Sequence, residues 1–262
     1  MKWHRIWAVV MRHLIQTPTD FNKLSSVLYW PFLDILIFGF TGAWLDLHSS
    51  GLTENRFILL TGVVFWQIIT RAGYGISINL LEDIWARNIT NLFSTPLSIG
   101  EWIIAMVIEG IIMLVAIVFF CALITWGFYS YNIFSLGWWF IPITLLNFFS
   151  GLSIGLLAGS KLINWGTRVQ SLAWMVSWLF APVSGAFYPI TVLPKSLQII
   201  AQALPLHYTF SSMRMILETG TCPISLITKA FGLTALYLML TLILFVTMFK
   251  KSKESGLARI TD

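Results

Sequence analysis

The sequence predicts an all-α membrane protein: six transmembrane helices, an N-terminal interfacial helix, and a short outer-leaflet re-entrant hairpin between helices five and six. Three observations lead there. Of 262 residues, 57% are hydrophobic and 10% charged, with a mean hydropathy of +0.81, whereas a soluble domain carries about 25% charged residues. Six apolar stretches, Val27–Leu45, Phe57–Leu80, Trp102–Phe128, Trp138–Gly159, Val169–Tyr188 and Ile224–Phe249, each hold about the 20 residues a helix needs to cross the hydrocarbon layer. These runs are continuous rather than alternating, which argues against a barrel, and lipid offers the backbone no hydrogen bonds, which leaves helices. Connections are short, so residues 1–262 read as one transmembrane domain. Its parts are an interfacial helix over 1–26, a six-helix body over 27–249 with a cytosolic segment at 81–101, and a basic tail over 250–262.

Before the first span, Lys2–Gln16 has helical periodicity, with Trp3, Ile6, Trp7, Val10 and Leu14 on one face and Lys2, Arg5, Arg12, His13 and Gln16 opposite. Tryptophan on one side and basic residues on the other suit a helix lying in the headgroup region. Arg12 and His13 interrupt the first apolar stretch and no small-residue cleavage site follows, which argues against a signal peptide.

Charge sets the expected orientation. With both termini in the cytosol, eleven basic residues face inward: Lys2, Arg5, Arg12, Lys23, Arg87, Lys161, Arg168, Lys250, Lys251, Lys253 and Arg259. Only Arg56, Lys195, Arg214 and Lys229 lie outside, and Arg71 falls within a span. The positive-inside rule accounts for this asymmetry, so the net charge of +5 gives no reason to invoke nucleic acid. Lys250, Lys251 and Lys253 directly follow the last span, and attraction to anionic membrane lipid, about 1 kcal/mol per basic residue, explains them. Cys121 in an apolar run and Cys222 in an outer loop form neither a disulfide framework nor a metal signature.

The cytosolic segment Leu81–Glu101 reads LLEDIWARNITNLFSTPLSIGE from Leu80 onward. Ile84, Trp85, Asn88 and Leu92 share one expected helical face, with Glu82, Asp83, Arg87 and Asn91 outside it. Thr95-Pro96 stops the helix, because proline disfavours helical geometry in the residue before it. An amphipathic helix running to Phe93 in such a loop is a handle for a soluble partner. The fifth span carries Pro182 inside it and Pro189 near its outer end; beyond Pro194, two short runs, Leu197–Leu204 and His207–Leu217, are divided at Pro205 and stopped by Gly220. Both are too brief to cross, and a hairpin of this kind is tolerated where protein or water satisfies its backbone.

Three ionisable residues, Asp34, Arg71 and Glu109, lie inside spans. Charge near a helix centre costs about 2.5–3.5 kcal/mol. At 1.5 Å per residue, Asp34, Arg71 and Glu109 sit about 10, 13 and 12 Å from the cytosolic edge. Matched depth on successive helices predicts pairing, with Arg71 between two carboxylates. The group is then either a structural ion pair or a polar gate. Trp138 and Trp139 suit an interfacial anchor.

The segments Glu82–Glu101, Ser184–Pro189 followed by Leu193-Pro194, and Leu204–Tyr208 continuing to Arg214 and Gly220 resemble the permease subunit of ABC-2-type exporters in order and spacing. The usual Arg-x-x-Gly-Thr appears here as Arg87-Asn88-Ile89-Thr90. The resemblance implies a pair of permeases, identical chains by expectation, and two copies of a separate ATPase beneath them. It places ATPase docking on Glu82, Asp83, Ile84, Trp85, Arg87, Asn88, Leu92 and Phe93, and the outer hairpin around Pro189, Pro194, Pro205 and Arg214. It puts the helix bearing Trp174 and Trp178 beside the pathway, where the two rings either stack on cargo or pack against lipid, and it implies export of a drug, lipid-linked or polysaccharide-like cargo across the inner membrane. No G-x-x-x-x-G-K-[ST] loop occurs in the chain, so no catalytic residue is assigned, and ATP and Mg are expected on the partner.

Two other functions compete. Gly151-Leu152-Ser153-Ile154-Gly155 matches the G-x-S-x-G of serine hydrolases. An intramembrane protease needs a histidine beside its serine, and His4, His13, His48 and His207 all lie outside the spans. Gly151, Ser153, Gly155 and Gly159 instead suit a close helix-packing face. An ion-coupled secondary transporter is the second alternative, but it would show matched broken helices in two halves, and only the fifth span is irregular.

Overall fold

The computed structural model describes residues 1–48 and 54–256; Arg259 and the rest of the tail beyond Gly256 lie outside the described residues. Among the described residues there are eleven α-helices and no strand. They are α1 (Trp3–Thr19), α2 (Phe21–His48), α3 (Glu54–Trp85), α4 (Ile89–Ser94), α5 (Ile99–Tyr129), α6 (Phe140–Trp165), α7 (Leu172–Leu179), α8 (Ala181–Ser184), α9 (Lys195–Ala203), α10 (Pro205–Thr219) and α11 (Ile224–Glu254). Among the described residues, five segments are long and apolar enough to span a bilayer: Lys23–Leu47, Arg56–Trp85, Ile99–Tyr129, Ile133–Val169 and Ile224–Glu254. The chain is a multi-pass, all-α membrane protein.

The fifth expected span is not continuous. Gly166–Val169 forms a 3-10 turn, and α7 and α8 then meet at Phe180, just before Pro182 in the first turn of α8. Proline removes a backbone donor and crowds the preceding turn, which joints the helix there. The apolar segment Leu172–Ser184 covers about 20 Å, less than the roughly 30 Å core. Past it, a 3-10 turn at Ile190–Val192 precedes Pro194, the N-cap residue of α9, and Pro205 opens α10. Gly220, at φ 68°, ends α10 in the left-handed conformation that glycine adopts without strain.

Helices α3 and α6 form the centre, with 72% of each apolar window buried, whereas α2 and α11 bury 17%. The α3–α6 contact is intimate because both helices are small there. A Cβ at Gly151 would overlap the carbonyl of Ile69, and one at Gly155 would overlap the carbonyl of Gly73. Gly159 faces Phe245 of α11. The small residues are therefore a packing face. Ser153 donates to the Phe149 carbonyl of its own helix at 3.0 Å, while His13 contacts Arg12 and His207 contacts Ser211.

Helix α1 packs on α5 and α2. It buries Ile6, Val9, Val10 and His13 but leaves Trp3, Trp7, Met11 and Ile15 exposed, so one apolar stripe serves the protein and a second stays outward. Helix α5 opens with a capping box, Ser98 with Glu101, in which each side chain satisfies a backbone donor of the other residue. The Glu101 carboxylate also accepts from the Lys2 amide at 2.7 Å and lies 3.8 Å from Arg5. The starts of α1 and α5 are thus joined at one carboxylate.

Candidate functional site

A cleft of about 1060 Å³ opens on the α1 side of the bundle, between α1, the start of α2, the last turns of α3 and the first half of α5. Its rim is ionic. Arg12 of α1 meets Asp83 of α3 at 2.9 Å, and Lys23 of α2 meets Glu82 of α3 at 2.5 Å. Both pairs bring together charges that sequence alone had assigned only to topology or to a loop. Deeper in, Arg71, Tyr74, Asn79 and Glu109 line the cavity beside Val27, Ile78, Met113 and Ile117.

The expected bridge of Arg71 between Asp34 and Glu109 is not formed. No ion pair within 4.0 Å joins Arg71 to either carboxylate among the described residues. Asp34 accepts instead from the amide of Gln67 at 2.6 Å, and Arg71 donates to the backbone carbonyl of Ser26. Glu109 lies in the same cleft as Arg71, but its Oε2 is buried without a partner. Helix spacing put the three groups on successive helices; the azimuth of each helix, which spacing does not carry, kept Arg71 from ion-pair distance of either carboxylate. Gln67, a polar residue one turn before Arg71 in an otherwise apolar run, was the available signal for Asp34's true partner.

The segment expected to dock the ATPase also differs from expectation. There is no single helix from Asp83 to Phe93: α3 ends at Trp85, and Arg87 takes the left-handed conformation at φ 52° before α4 begins. Apart from Trp85, the apolar side does not face outward. Ile84, Ile89 and Phe93 are buried, and Phe93 packs edge-on against Phe249 of α11 with ring centroids 4.5 Å apart. Leu92 and Asn88 are half-buried, whereas Trp85, Ala86, Arg87, Thr90, Asn91 and Ser94–Pro96 are exposed. Trp85 Nε1 donates to Gln170 at 3.0 Å, tying this corner to the connection before α7.

Trp174 and Trp178 do not line the cleft. Both are partly exposed on α7, and Trp178 meets Trp66 edge-on at 5.9 Å. On the opposite side, Arg214 donates to the carbonyls of Gly185 and Ala186, so α10 holds the turn that follows α8.

His13 sits in the cleft wall, with burial and the nearby Arg12 and Lys23 cations pushing its pKa down to about 3. The folded state therefore holds a neutral imidazole while the unfolded chain takes up a proton below about pH 6.5. Stability from this group is present above pH 6.5 and falls as pH drops toward 3, by about 1.4 kcal/mol per pH unit. Replacing His13 with Phe is expected to flatten the melting-temperature profile between pH 4 and 6.5; an unchanged slope in that range would refute this.

The family model for ABC-2 type transporters matches residues 4–217, from the first turn of α1 to the last turn of α10. No curated protein matches the chain. Matched over most of its length and built as an apolar helical bundle, the chain belongs to the ABC-2 type transporter family and is a membrane permease component of an ABC-type transporter.

Proposed function

We propose that the chain is the passive, membrane-embedded half of an exporter, one transmembrane domain over residues 1–262 whose energy comes from a separate ATPase. The observation that carries this is the linkage of the cleft to the coupling corner. Asp83 and Glu82 hold α1 and α2 through Arg12 and Lys23, and Glu101 holds the start of α1. A push on the exposed Trp85–Arg87 and Ser94–Pro96 surfaces therefore moves the cleft walls with it. Docking uses these exposed residues rather than the buried face of α4. ATP and Mg belong to the partner, which pairs with the permease at two copies per homodimer. Trp174 and Trp178, exposed on α7, face the pathway between the two chains.

The orientation puts both termini and the cleft on the cytosolic side of the inner membrane, with the α9–α10 hairpin in the outer leaflet. Conversion of the cleft between inward-open and outward-open arrangements by ATPase closure gives alternating access.

The unpartnered carboxylate of Glu109 favours one competing reading, an ion-coupled carrier. Reconstitution separates the two. The chain with its ATPase is expected to move cargo only with ATP and Mg, while the lone chain neither hydrolyses nucleotide nor accumulates cargo. Uphill flux by the lone chain, driven by a proton or sodium gradient, would overturn the proposal.

A further inference from the structure

Most charges in the α1-side cleft are already neutralised by one another. Arg12 pairs with Asp83 and Lys23 with Glu82, and Asp20 at the mouth is engaged as well. Two groups remain. Glu109 is only 6% exposed, and its Oε2 has no partner. Arg71 gives one donor to the neutral Ser26 carbonyl, while its Nε is buried and unpartnered. Neither group has an ion-pair partner within 4.0 Å among the described residues, and a buried charge without a close partner is costly.

The two groups line the same cavity. A Cβ on Gly75 would lie 3.4 Å from Glu109 Oε2 and touch nothing else. Gly75 follows Arg71 by four residues, one helical turn or about 6 Å along α3. The cavity thus offers one acidic and one basic side chain to a ligand. Above the range of about 300–1000 Å³ usual for small ligands, its 1060 Å³ leaves room beyond a headgroup. Val27, Ile78, Met113 and Ile117 supply apolar wall for a chain.

We propose that the cleft binds a zwitterionic amphiphile, with a primary ammonium against Glu109, an acidic group such as a phosphate against Arg71, and the hydrocarbon portion along Ile78, Met113 and Ile117. A simple anion leaves Glu109 Oε2 without a close partner, and a simple amine leaves Arg71 Nε so; a molecule carrying both groups meets both. The guanidinium suits a phosphate because its planar donors match the oxygens. Calling this ligand the cargo rests on the permease reading above, but binding itself does not, because it requires neither ATPase nor nucleotide.

The full chain is purified in maltoside and its ligand retention measured by native mass spectrometry. Lysophosphatidylethanolamine is expected to bind at least tenfold more tightly than lysophosphatidic acid, which lacks the amine, or dodecylamine, which lacks the acid. Glu109→Gln and Arg71→Gln should each weaken it at least tenfold, and Gly75→Leu, which grows into the cavity beside Glu109, should abolish it. Soluble glycerophosphoethanolamine distinguishes the sources. Weak competition identifies a bilayer amphiphile, and equal competition identifies a soluble zwitterion of the same chemistry. If Arg71→Gln does not fold, Glu109→Gln and Gly75→Leu decide. The proposal is overturned if the anion or the amine binds as well as the zwitterion. It is also overturned if a Glu109→Gln chain that elutes like the parent retains full affinity. Failure here leaves ATP-driven flux untouched, and loss of flux leaves the binding result untouched.

Discussion

Gly155→Val is expected to lose most of the folded protein, the largest effect of any single substitution considered for this chain. A side chain at 155 has no flexible neighbour to displace: the atoms in its way are the backbone of Gly73. Accommodating even a Cβ forces α3 and α6 apart. Overpacking in a core costs about 1–3 kcal/mol when side chains give way, and separating two central helices lies at or beyond the top of that range. Without a strong hydrophobic drive between helices in lipid, close van der Waals packing is the main force that such a separation removes. Gly151→Val meets the Ile69 carbonyl in the same way. Gly232→Ala on α11 is the control, since nothing lies within 4 Å of a Cβ there; it should fold normally, with a gain of up to about 1 kcal/mol from helix propensity. Thermal melting of detergent-solubilised protein reads both. Equal melting temperatures for Gly155→Val and the parent would show that α3 and α6 are not in backbone contact.

Asp83→Ala should be the second most damaging change, and it acts on both stability and coupling. Asp83 is buried at the end of α3, and its partner Arg12 is about a quarter exposed. Stripping the acid from a fully buried pair costs about 3–5 kcal/mol because the cation is left uncompensated; partial solvation of Arg12 reduces this to about 2 kcal/mol. The double change Arg12→Ala with Asp83→Ala should cost less than the sum of the single changes, with a coupling energy of about 1 kcal/mol. In the reconstituted transporter, Asp83→Ala is expected to keep ATP hydrolysis while cutting ATP-driven flux at least tenfold, because α1 no longer follows the coupling corner. Strict additivity in the cycle, or full flux from the single variant, would mean that the ion pair transmits nothing.

Much of the architecture was readable from residue order. The continuous apolar runs gave α2, α3, α5, α6 and α11, and the stop before Pro96, the break at Pro205 and the end at Gly220 follow from local backbone chemistry. Pro182 marked the irregular fifth segment, but whether it kinks or divides a helix depends on what packs around it. The candidate site was half readable. Arg71 and Glu109 do share a cavity, whereas Asp34 turned to Gln67. The rim pairs Arg12–Asp83 and Lys23–Glu82 join residues about 60 to 70 positions apart, and no local pattern reports them.

By itself, the sequence determined the solvent, the five long apolar helices and the breaks at Pro205 and Gly220, because these depend on transfer free energy and backbone geometry within one segment. Only the tertiary structure decided which helices are central and which groups meet. Mean hydropathy is 1.4 for α3 and 1.5 for α2, yet 72% of one window is buried inside the protein and 17% of the other. Lipid tails and a protein interior are equally apolar, so hydropathy cannot tell them apart. The distinction comes from small residues such as Gly73 and Gly155, which let two backbones touch, and from the rotation of each helix about its own axis.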